Sequence, residues 1–133
     1  MKHLNKFITE YIVKKKLDKF VDSEDHYEYF PKTKNELIYN INNLIKQNIY
    51  DFNCIDTSAI TDMSDLFYRI NIDKNFDVSR WDVSNVTDMT NMFYNCKNFD
   101  CDLSNWNVSN VEDMNYMFDF CTSLKNKPSW YKE

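Results

Sequence analysis

The chain has 133 residues, a net charge of −5 and no glycine, with 43% hydrophobic and 17% aromatic residues. This length and composition indicate one folded domain with a modest core and exclude a disordered chain. The lack of glycine argues against phosphate-cradling loops, dinucleotide fingerprints and nucleophile elbows, which all depend on glycine backbone angles. Turns are expected to use Asn, Asp and Ser, which tolerate the left-handed region best after glycine.

The sequence shows neither a membrane-spanning run nor a secretory leader. No apolar stretch is long enough to cross a bilayer. In residues 1–21, Lys14, Lys15 and Lys16 interrupt the place where the apolar core of a leader would lie. The expected location is therefore the cytoplasm, where the four cysteines would stay reduced. If the chain is encoded by a phage, the expected location is the host cytoplasm or the virion.

Residues 1–52 are predicted to form a helical N-terminal cap. Residues 3–20 carry apolar side chains at three- and four-residue steps, which predicts an amphipathic helix. We interpret its lysines as a solvated outer face, although such a helix can also rest on a membrane or contact nucleic acid. Thr33 and Glu36 form a capping-box pattern that begins a second helix over residues 34–48.

A sequence repeat organises the remainder of the chain. Residues 81–89 read Trp-Asp-Val-Ser-Asn-Val-Thr-Asp-Met, and residues 106–114 read Trp-Asn-Val-Ser-Asn-Val-Glu-Asp-Met. A diverged copy at 55–63 reads Ile-Asp-Thr-Ser-Ala-Ile-Thr-Asp-Met. A fixed period of this length is typical of a solenoid, in which each unit buries its apolar face against its neighbours.

Equivalent apolar positions of the three copies form ladders whose spacing within a unit is helical, so each unit is predicted to hold a short helix. Ser109 with Glu112 supplies a capping box for one of them. The return legs, 76–79 and 99–104, are predicted to be short strands that pair in parallel with the next unit. The ladders are Ile60, Val86 and Val111; Met63, Met89 and Met114; Leu66, Met92 and Met117; Phe67, Phe93 and Phe118; and Ile70, Cys96 and Cys121.

This pattern resembles the bacterial surface protein repeat, a branch of the BspA-like leucine-rich repeats, over about residues 55–130. The resemblance implies a right-handed α/β solenoid that acts in adhesion and protein–protein recognition, on bacterial surfaces or in phages and other mobile elements. The predicted fold is therefore α/β, a short right-handed leucine-rich-repeat-like solenoid of about three units with an α-helical N-terminal cap. Residues 53–133 form the solenoid with a C-terminal cap at Pro128, and the two parts pack as a single domain.

The chain's candidate metal ligands are better explained by structural roles. No Cys-x-x-Cys pair exists, and Cys96 and Cys121 occupy a ladder position that favours core packing. The recurring aspartates could bind calcium, but a favourable charge at a helix N-terminus together with local bonds to backbone N–H groups explains them better. We predict no metal and no cofactor. These aspartates are Asp62, Asp88 and Asp113, with Asp77 and Asp102 at a second position.

Tryptophan recurs at the end of each unit, and its side chain can face either way. Trp106 shares a strand phase with Val108 that differs from that of Leu103. We therefore predict a bend near residues 104–105 that buries the indoles. Exposed indoles would instead be the best anchors for a partner.

No nucleophile with a nearby base is recognisable, so we predict a non-enzymatic protein–protein interaction module without a small-molecule substrate. Residues 55–126 carry five basic and twelve acidic side chains, a balance of −7, so direct nucleic-acid binding is not expected. The alternatives are a phage or mobile-element inhibitor that presents this acidic surface to a host defence protein, or a virion component. The predicted partner-binding residues form outward rows on the strand side: Asp77, Ser79, Arg80, Asp102, Ser104 and Asn105.

Overall fold

The computed structural model describes residues 26–132, and within that range it contains one helix, α1 (Lys34–Lys46). Most of the remaining described chain consists of tight turns, without an extended strand. The predicted helix over residues 3–20 lies outside the described residues. Among the described residues, four isolated parallel bridges join Tyr29 to Ile55, Asp51 to Asp77, Asp62 to Asp88, and Asp88 to Asp113.

Helix α1 confirms the second predicted helix and its capping signal. The Thr33 hydroxyl oxygen accepts a hydrogen bond from the Glu36 N–H at 3.2 Å. The Glu36 carboxylate accepts from the N–H of Lys32 at 2.7 Å, one residue earlier than the capping-box pattern places it. Leu37, Ile41 and Leu44 occupy one face of α1 and are fully buried, so the helix is held by its apolar face.

Helix α1 ends in a left-handed turn made by asparagine. Asn48 has φ 59°, and its N–H donates to the carbonyl oxygen of Ile45. The N–H of Ile49 donates to the carbonyl oxygen of Leu44, which completes a Schellman motif. The helix therefore stops two residues before the predicted end, and Asn takes the position that glycine usually fills.

Each repeat segment is joined to the next by a ladder of four backbone hydrogen bonds. In the first pair of segments, N–H groups at alternate residues donate to carbonyl oxygens of the following segment at 2.8–2.9 Å. In the second pair, the equivalent N–H groups donate to carbonyl oxygens of the last segment at 2.8–3.0 Å. The donors are Met63, Asp65, Phe67 and Arg69 in the first segment, and Met89, Asn91, Phe93 and Asn95 in the second.

The prediction of a short helix in each unit is wrong, because the backbone N–H groups do not form the hydrogen bonds of a helix. The N–H groups of Leu66, Tyr68 and Ile70 donate to carbonyl oxygens three residues earlier, while the N–H groups between them donate to the neighbouring segment. An α-helix would spend all of them within the segment. Positive φ angles at Asp65 and Arg69, 58° at each, also break any helix. Turns closed at three-residue steps produce the same apolar spacing as a helix.

The predicted return strands are also wrong. One bridge joins Asp51 to Asp77. The chain then forms a turn over residues 78–81, which is closed by a hydrogen bond from the N–H of Trp81 to the carbonyl oxygen of Val78. The N–H of Trp106 closes an equivalent turn on the carbonyl oxygen of Leu103. The bend predicted near residues 104–105 lies within this turn.

The predicted α/β class is therefore wrong. Residues 26–132 contain one helix and no strand, so no α/β solenoid of repeat units is visible. The repeat persists instead as turn-built segments in ladder contact. The physical reason is the left-handed conformation at two positions of each segment, which ends a helix before one turn is complete.

The centre of the core is a column of stacked phenylalanine rings that come from consecutive parts of the repeat. Phe67 lies 5.5 Å from Phe93 with planes 7° apart, and Phe93 lies 5.8 Å from Phe118 with planes 2° apart. Phe52 extends the column by stacking on Phe67 at 6.0 Å. The phenylalanine ladder predicted from the repeat is confirmed. Buried methionine side chains join the same core: Met63, Met89, Met92 and Met117.

Candidate functional site

The tryptophan of each unit is a structural residue, as the prediction of buried indoles stated. Trp81 and Trp106 are each only 4% exposed, and Trp130 is half-buried. Their Nε1–H groups donate to the carbonyl oxygens of Phe52, Val78 and Leu103, respectively, at 2.8–3.0 Å. The indoles of Trp81 and Trp106 are therefore enclosed in the protein and are not exposed anchors.

The predicted partner-binding row lies at the turns, and two of its carboxylates hold those turns together. The Asp77 Oδ1 accepts from the N–H of Ser79 at 2.9 Å, and the Asp102 Oδ1 accepts from the N–H of Ser104 at 2.9 Å. These are Asx turns. The remaining predicted residues, Arg80 and Asn105, are exposed, as are Asp102 and Ser104.

The pKa values of the Asp77 and Asp102 carboxyl groups are both lowered by these hydrogen bonds. Burial raises the pKa of Asp77, but hydrogen bonds from Ser79 and Asn53 and the charge of Arg80 outweigh it, so the pKa lies below its ordinary value. Hydrogen bonds from Ser104 lower the pKa of the fully exposed Asp102. Both groups are therefore ionised at neutral pH and already accept local hydrogen bonds.

The aspartates of the second recurring position behave in the same way. The carboxylates of Asp62, Asp88 and Asp113 accept from the backbone N–H two residues later, at 2.8–2.9 Å. This confirms the predicted bonding to local backbone N–H groups, whereas the predicted interaction with a helix N-terminus is wrong because these described segments form turns. Within residues 26–132, no group of three or more His, Cys, Asp or Glu side chains is placed to hold a metal ion.

The cysteines of the ladder position are buried thiols that donate to backbone carbonyls. Cys96 Sγ lies 2.8 Å from the carbonyl oxygen of Phe67, and Cys121 Sγ lies 3.0 Å from that of Phe93. Burial raises the pKa of Cys96 to about 12 and that of Cys121 to about 11. Such thiols pack as small apolar side chains, and at neutral pH their nucleophilic thiolate forms are scarce.

These raised pKa values predict an alkaline loss of stability. In the unfolded chain the thiols ionise near pH 9, whereas the folded chain keeps them protonated to about pH 11 or 12. Their contribution is therefore fully present below pH 9. Above it, each thiol should lower the free energy of unfolding by about 1.4 kcal/mol per pH unit until the folded-state pKa is reached.

Urea unfolding at pH 8, 9 and 10 measures this slope. Cys96→Ala should remove the share that Cys96 contributes, about 1 kcal/mol between pH 9 and pH 10, because the unfolded thiol is still half protonated at pH 9. Cys121→Ala is the matched variant at the equivalent position of the next segment. An identical pH slope in wild type and both variants would contradict the prediction.

A row of aromatic side chains on the surface was missed by the sequence analysis. We call Tyr68, Tyr94, Tyr116 and Phe120 the aromatic edge; the rings of Tyr68, Tyr94 and Phe120 are in contact, and Tyr116 lies in the same segment as Phe120. Tyr68 stacks on Tyr94 at 5.1 Å, and Tyr94 meets Phe120 edge to face at 5.4 Å. Tyr116 is 61% exposed and Phe120 63% exposed. A signal existed, because Tyr68 and Tyr94 each follow a core phenylalanine of the ladder and must point away from it.

Two members of the aromatic edge hold a strained backbone. Tyr116 has φ 59° and Phe120 has φ 61°. The equivalent residues of the preceding segment are Asn91 and Asn95, at φ 55° and 60°, and asparagine tolerates this region. A bulky residue there costs about 1 kcal/mol. The chain therefore carries exposed aromatic rings at the positions where they destabilise the backbone most.

Tyr116→Asn should raise the free energy of unfolding by about 1 kcal/mol, because asparagine accepts the left-handed conformation more readily. Urea unfolding at pH 7 measures the change. Tyr39→Asn is the control, since Tyr39 is 67% exposed but lies within α1, where asparagine gives no gain. Equal or lower stability for Tyr116→Asn would show that the backbone at this position is not strained.

The part of the chain that the structure describes has no helix of the length and apolar character needed to span a membrane.

Sequence comparisons agree with the extent of the structural unit. A family model described as Mycoplasma protein of unknown function, DUF285, matches residues 33–132. The match begins at the N-cap of α1 and includes every repeat segment, the aromatic edge and the predicted partner-binding row. Comparison with curated proteins and with solved structures gave no match. Since the match covers most of its length, the chain belongs to the family of Mycoplasma proteins of unknown function, DUF285.

Proposed function

We propose that this protein is a non-enzymatic protein–protein interaction module whose partner binds the aromatic edge. The observation that carries the proposal is the exposure of Tyr116 and Phe120 on a strained backbone. Large aromatic side chains supply much of the energy at protein interfaces. A ring that destabilises the free chain and remains in water gains its contacts when a partner covers it.

The scaffold beneath the aromatic edge favours this role. The backbone of Tyr68 lies between two ladder donors, Phe67 and Arg69, and the carbonyl oxygen of Tyr94 accepts from the N–H of Arg69 at 2.8 Å. The backbone that carries Tyr68 and Tyr94 is therefore held in place before a partner arrives. A rigid surface loses little conformational entropy on binding, so more of the contact energy remains for affinity.

The predicted row around Asp77 and Asp102 is a weaker candidate for the main contact. Its carboxylates already accept hydrogen bonds from Ser79 and Ser104. Exposed charged groups of this kind guide association more than they hold a complex together. Arg80 and Asn105 would then lie at the periphery of an interface. The resemblance to the bacterial surface protein repeat does not distinguish between these two surfaces. The inhibitor and virion alternatives do not distinguish between them either, and all three stay predictions.

Site-specific photo-crosslinking in the native cell tests the proposal. The photoreactive phenylalanine analogue p-benzoylphenylalanine replaces Phe120 in one variant, Asn105 in a second and Asn42 in a third. All three positions are exposed, and Asn42 lies in α1, away from both candidate surfaces. We expect one discrete protein adduct from position 120 and none from position 42. An adduct from position 105 without one from position 120 would move the interface to the predicted row and refute the aromatic edge.

A further inference from the structure

Among the described residues, the last repeat segment has a row of backbone N–H groups without acceptors. The equivalent N–H groups of the two preceding segments all have acceptors. In the two preceding segments, each such N–H donates to a carbonyl oxygen of the next segment. Within residues 26–132, the equivalent N–H groups of the last segment have no hydrogen-bond acceptor. We call these groups the open row, and they belong to Met114, Tyr116, Phe118 and Phe120.

The ladder has one direction, so the open row offers donors only. Carbonyl oxygens of this segment, at residues 113, 115, 117 and 119, already accept from the preceding segment at 2.8–3.0 Å. Backbone N–H groups that lack an acceptor are favourable binding points for carbonyl or carboxylate oxygens. An occupant must therefore bring a matching row of acceptors.

A second copy of this chain carries one matching row, at its first segment, where the carbonyl oxygens of residues 62, 64, 66 and 68 accept no hydrogen bond within residues 26–132. The carbonyl ends of its second and third segments are engaged within its own ladder. At the first segment, Lys34 at the start of α1 donates to Ser64 Oγ at 2.9 Å and contacts Asp62 Oδ1 at 3.4 Å. The start of α1 thus lies against that row, and a second copy would have to displace Lys34 to reach it, which favours a different occupant.

Two members of the aromatic edge lie in the open row itself. Tyr116 and Phe120 supply both an unpaired N–H and an exposed ring. The ring of Phe118, between them, is covered by Tyr131 at 4.9 Å and is only 3% exposed. A segment lying along this edge would therefore gain backbone hydrogen bonds and two aromatic contacts at once.

Resting on the proposed function, we infer that the open row docks a segment of a partner protein that carries the same Asp-Met-x-x-Met-Phe pattern and adds a further rung to the ladder. Contacts inside this chain favour that occupant. Segments of this pattern, at residues 88–93 and 113–118, already pair with the equivalent donor row twice. Adding a backbone rung to an exposed edge is a common mode of peptide recognition.

An NMR titration with a synthetic peptide of residues 86–97, carrying Cys96→Ser, tests the inference on the full chain. We expect the amide signals of the open row to shift and their hydrogen exchange to slow at least tenfold at saturation, since amides become protected when bonded. The ladder amides of Met89 and Phe93 should already be protected without peptide. The control peptide carries Asn91→Pro, because proline cannot adopt the φ of 55° that Asn91 holds.

A chain in which an ester oxygen replaces the Tyr116 N–H isolates the backbone contribution. It is made by ligation at the native Cys101, and it should bind the peptide about fivefold more weakly, as expected for one lost hydrogen bond. The matched variant places the ester at Asn110, whose N–H has no acceptor among residues 26–132 and which lies outside the open row. Equal affinities for the two esters would overturn the inference.

Two other outcomes also overturn it. One is an absence of shifts in the open row at peptide concentrations of about 1 mM, where even a weak specific complex forms. The other is self-association of the chain, seen by analytical ultracentrifugation, that the Tyr116 ester abolishes, because it would assign the open row to a second copy. A discrete crosslink at position 120 together with either outcome would leave the interaction module standing and remove only this occupant.

Discussion

Phe93→Ala is expected to lower the free energy of unfolding by about 4 kcal/mol, the upper part of the range for a large-to-small core change. Phe93 is completely buried and lies at the centre of the ring column. It stacks on Phe67 and Phe118 and packs against Phe99 at 4.2 Å. The surrounding rings come from separate segments whose backbones are joined by ladder hydrogen bonds, so they can relax only partly into the space and a cavity would persist. Urea unfolding monitored by circular dichroism measures the change.

Phe120→Ala is the matched control for this prediction, since it removes the same side chain from a position that is 63% exposed. It should change the free energy of unfolding by less than about 1 kcal/mol. A folded domain is stable by only about 5–15 kcal/mol, so Phe93→Ala removes a large share of the total. Similar losses for the two variants would mean that the rings do not form a central core.

Trp106→Ala is expected to lower the free energy of unfolding by about 3–5 kcal/mol. The indole is only 4% exposed and stacks on Trp130 at 6.3 Å. Its Nε1–H also donates to the carbonyl oxygen of Val78 at 3.0 Å, which joins two consecutive units. The substitution therefore removes both buried apolar surface and a bond between units. Thermal and urea unfolding measure the loss.

Trp106→Phe separates these two effects, because phenylalanine keeps an aromatic ring but has no donor. A loss of about 2 kcal/mol is expected, from one hydrogen bond and the smaller ring. Trp130→Phe removes the equivalent bond, to Leu103 at 2.9 Å, from a half-buried position and should lose less. A larger loss at Trp130 than at Trp106 would contradict the order of burial.

The repeat made much of the packing predictable. Its fixed period places equivalent side chains on consecutive levels, so the ring column of Phe67, Phe93 and Phe118 could be deduced from the sequence. The burial of the indoles followed from a conflict of strand phase. The helix α1 followed from a capping pattern with a clear apolar face.

The local conformation could not be deduced because two structures share one apolar spacing. Three-residue turns and α-helices both bring residues i, i+3 and i+7 to the same side. Whether a segment forms turns or a helix depends on which residues adopt the left-handed backbone conformation. At Asn91 and Asn95 the sequence permits that conformation, but at Arg69, Tyr116 and Phe120 it gives no sign of it. Helix was therefore the natural prediction for segments that in fact turn.

The functional surface was hard to predict for a related reason. Asp77 and Asp102 recur in polar turns and suggest an outward binding row, yet their carboxylates are engaged in holding the turns. The aromatic edge does not recur as a single residue type. Tyr68 and Tyr94 share a position, but Phe120 aligns with Arg69 and Asn95. Only the structure shows that the rings of Tyr68, Tyr94 and Phe120 meet.

The common direction of the ladder bonds gives the repeat segments an electrical polarity. Every donor in these two ladders points toward the last segment and every acceptor toward the first, so the dipoles of these peptide groups add, while the bonds from Thr87 to Thr61 and from Ser123 to Lys97 run the other way. The last segment then carries partial positive charge and the first partial negative charge. Lys34 lies against the first segment, where a cation is favoured. Each further segment of the same orientation would lengthen this macrodipole, so oxyanions should accumulate near Tyr116 and Phe120 even though the chain as a whole is acidic.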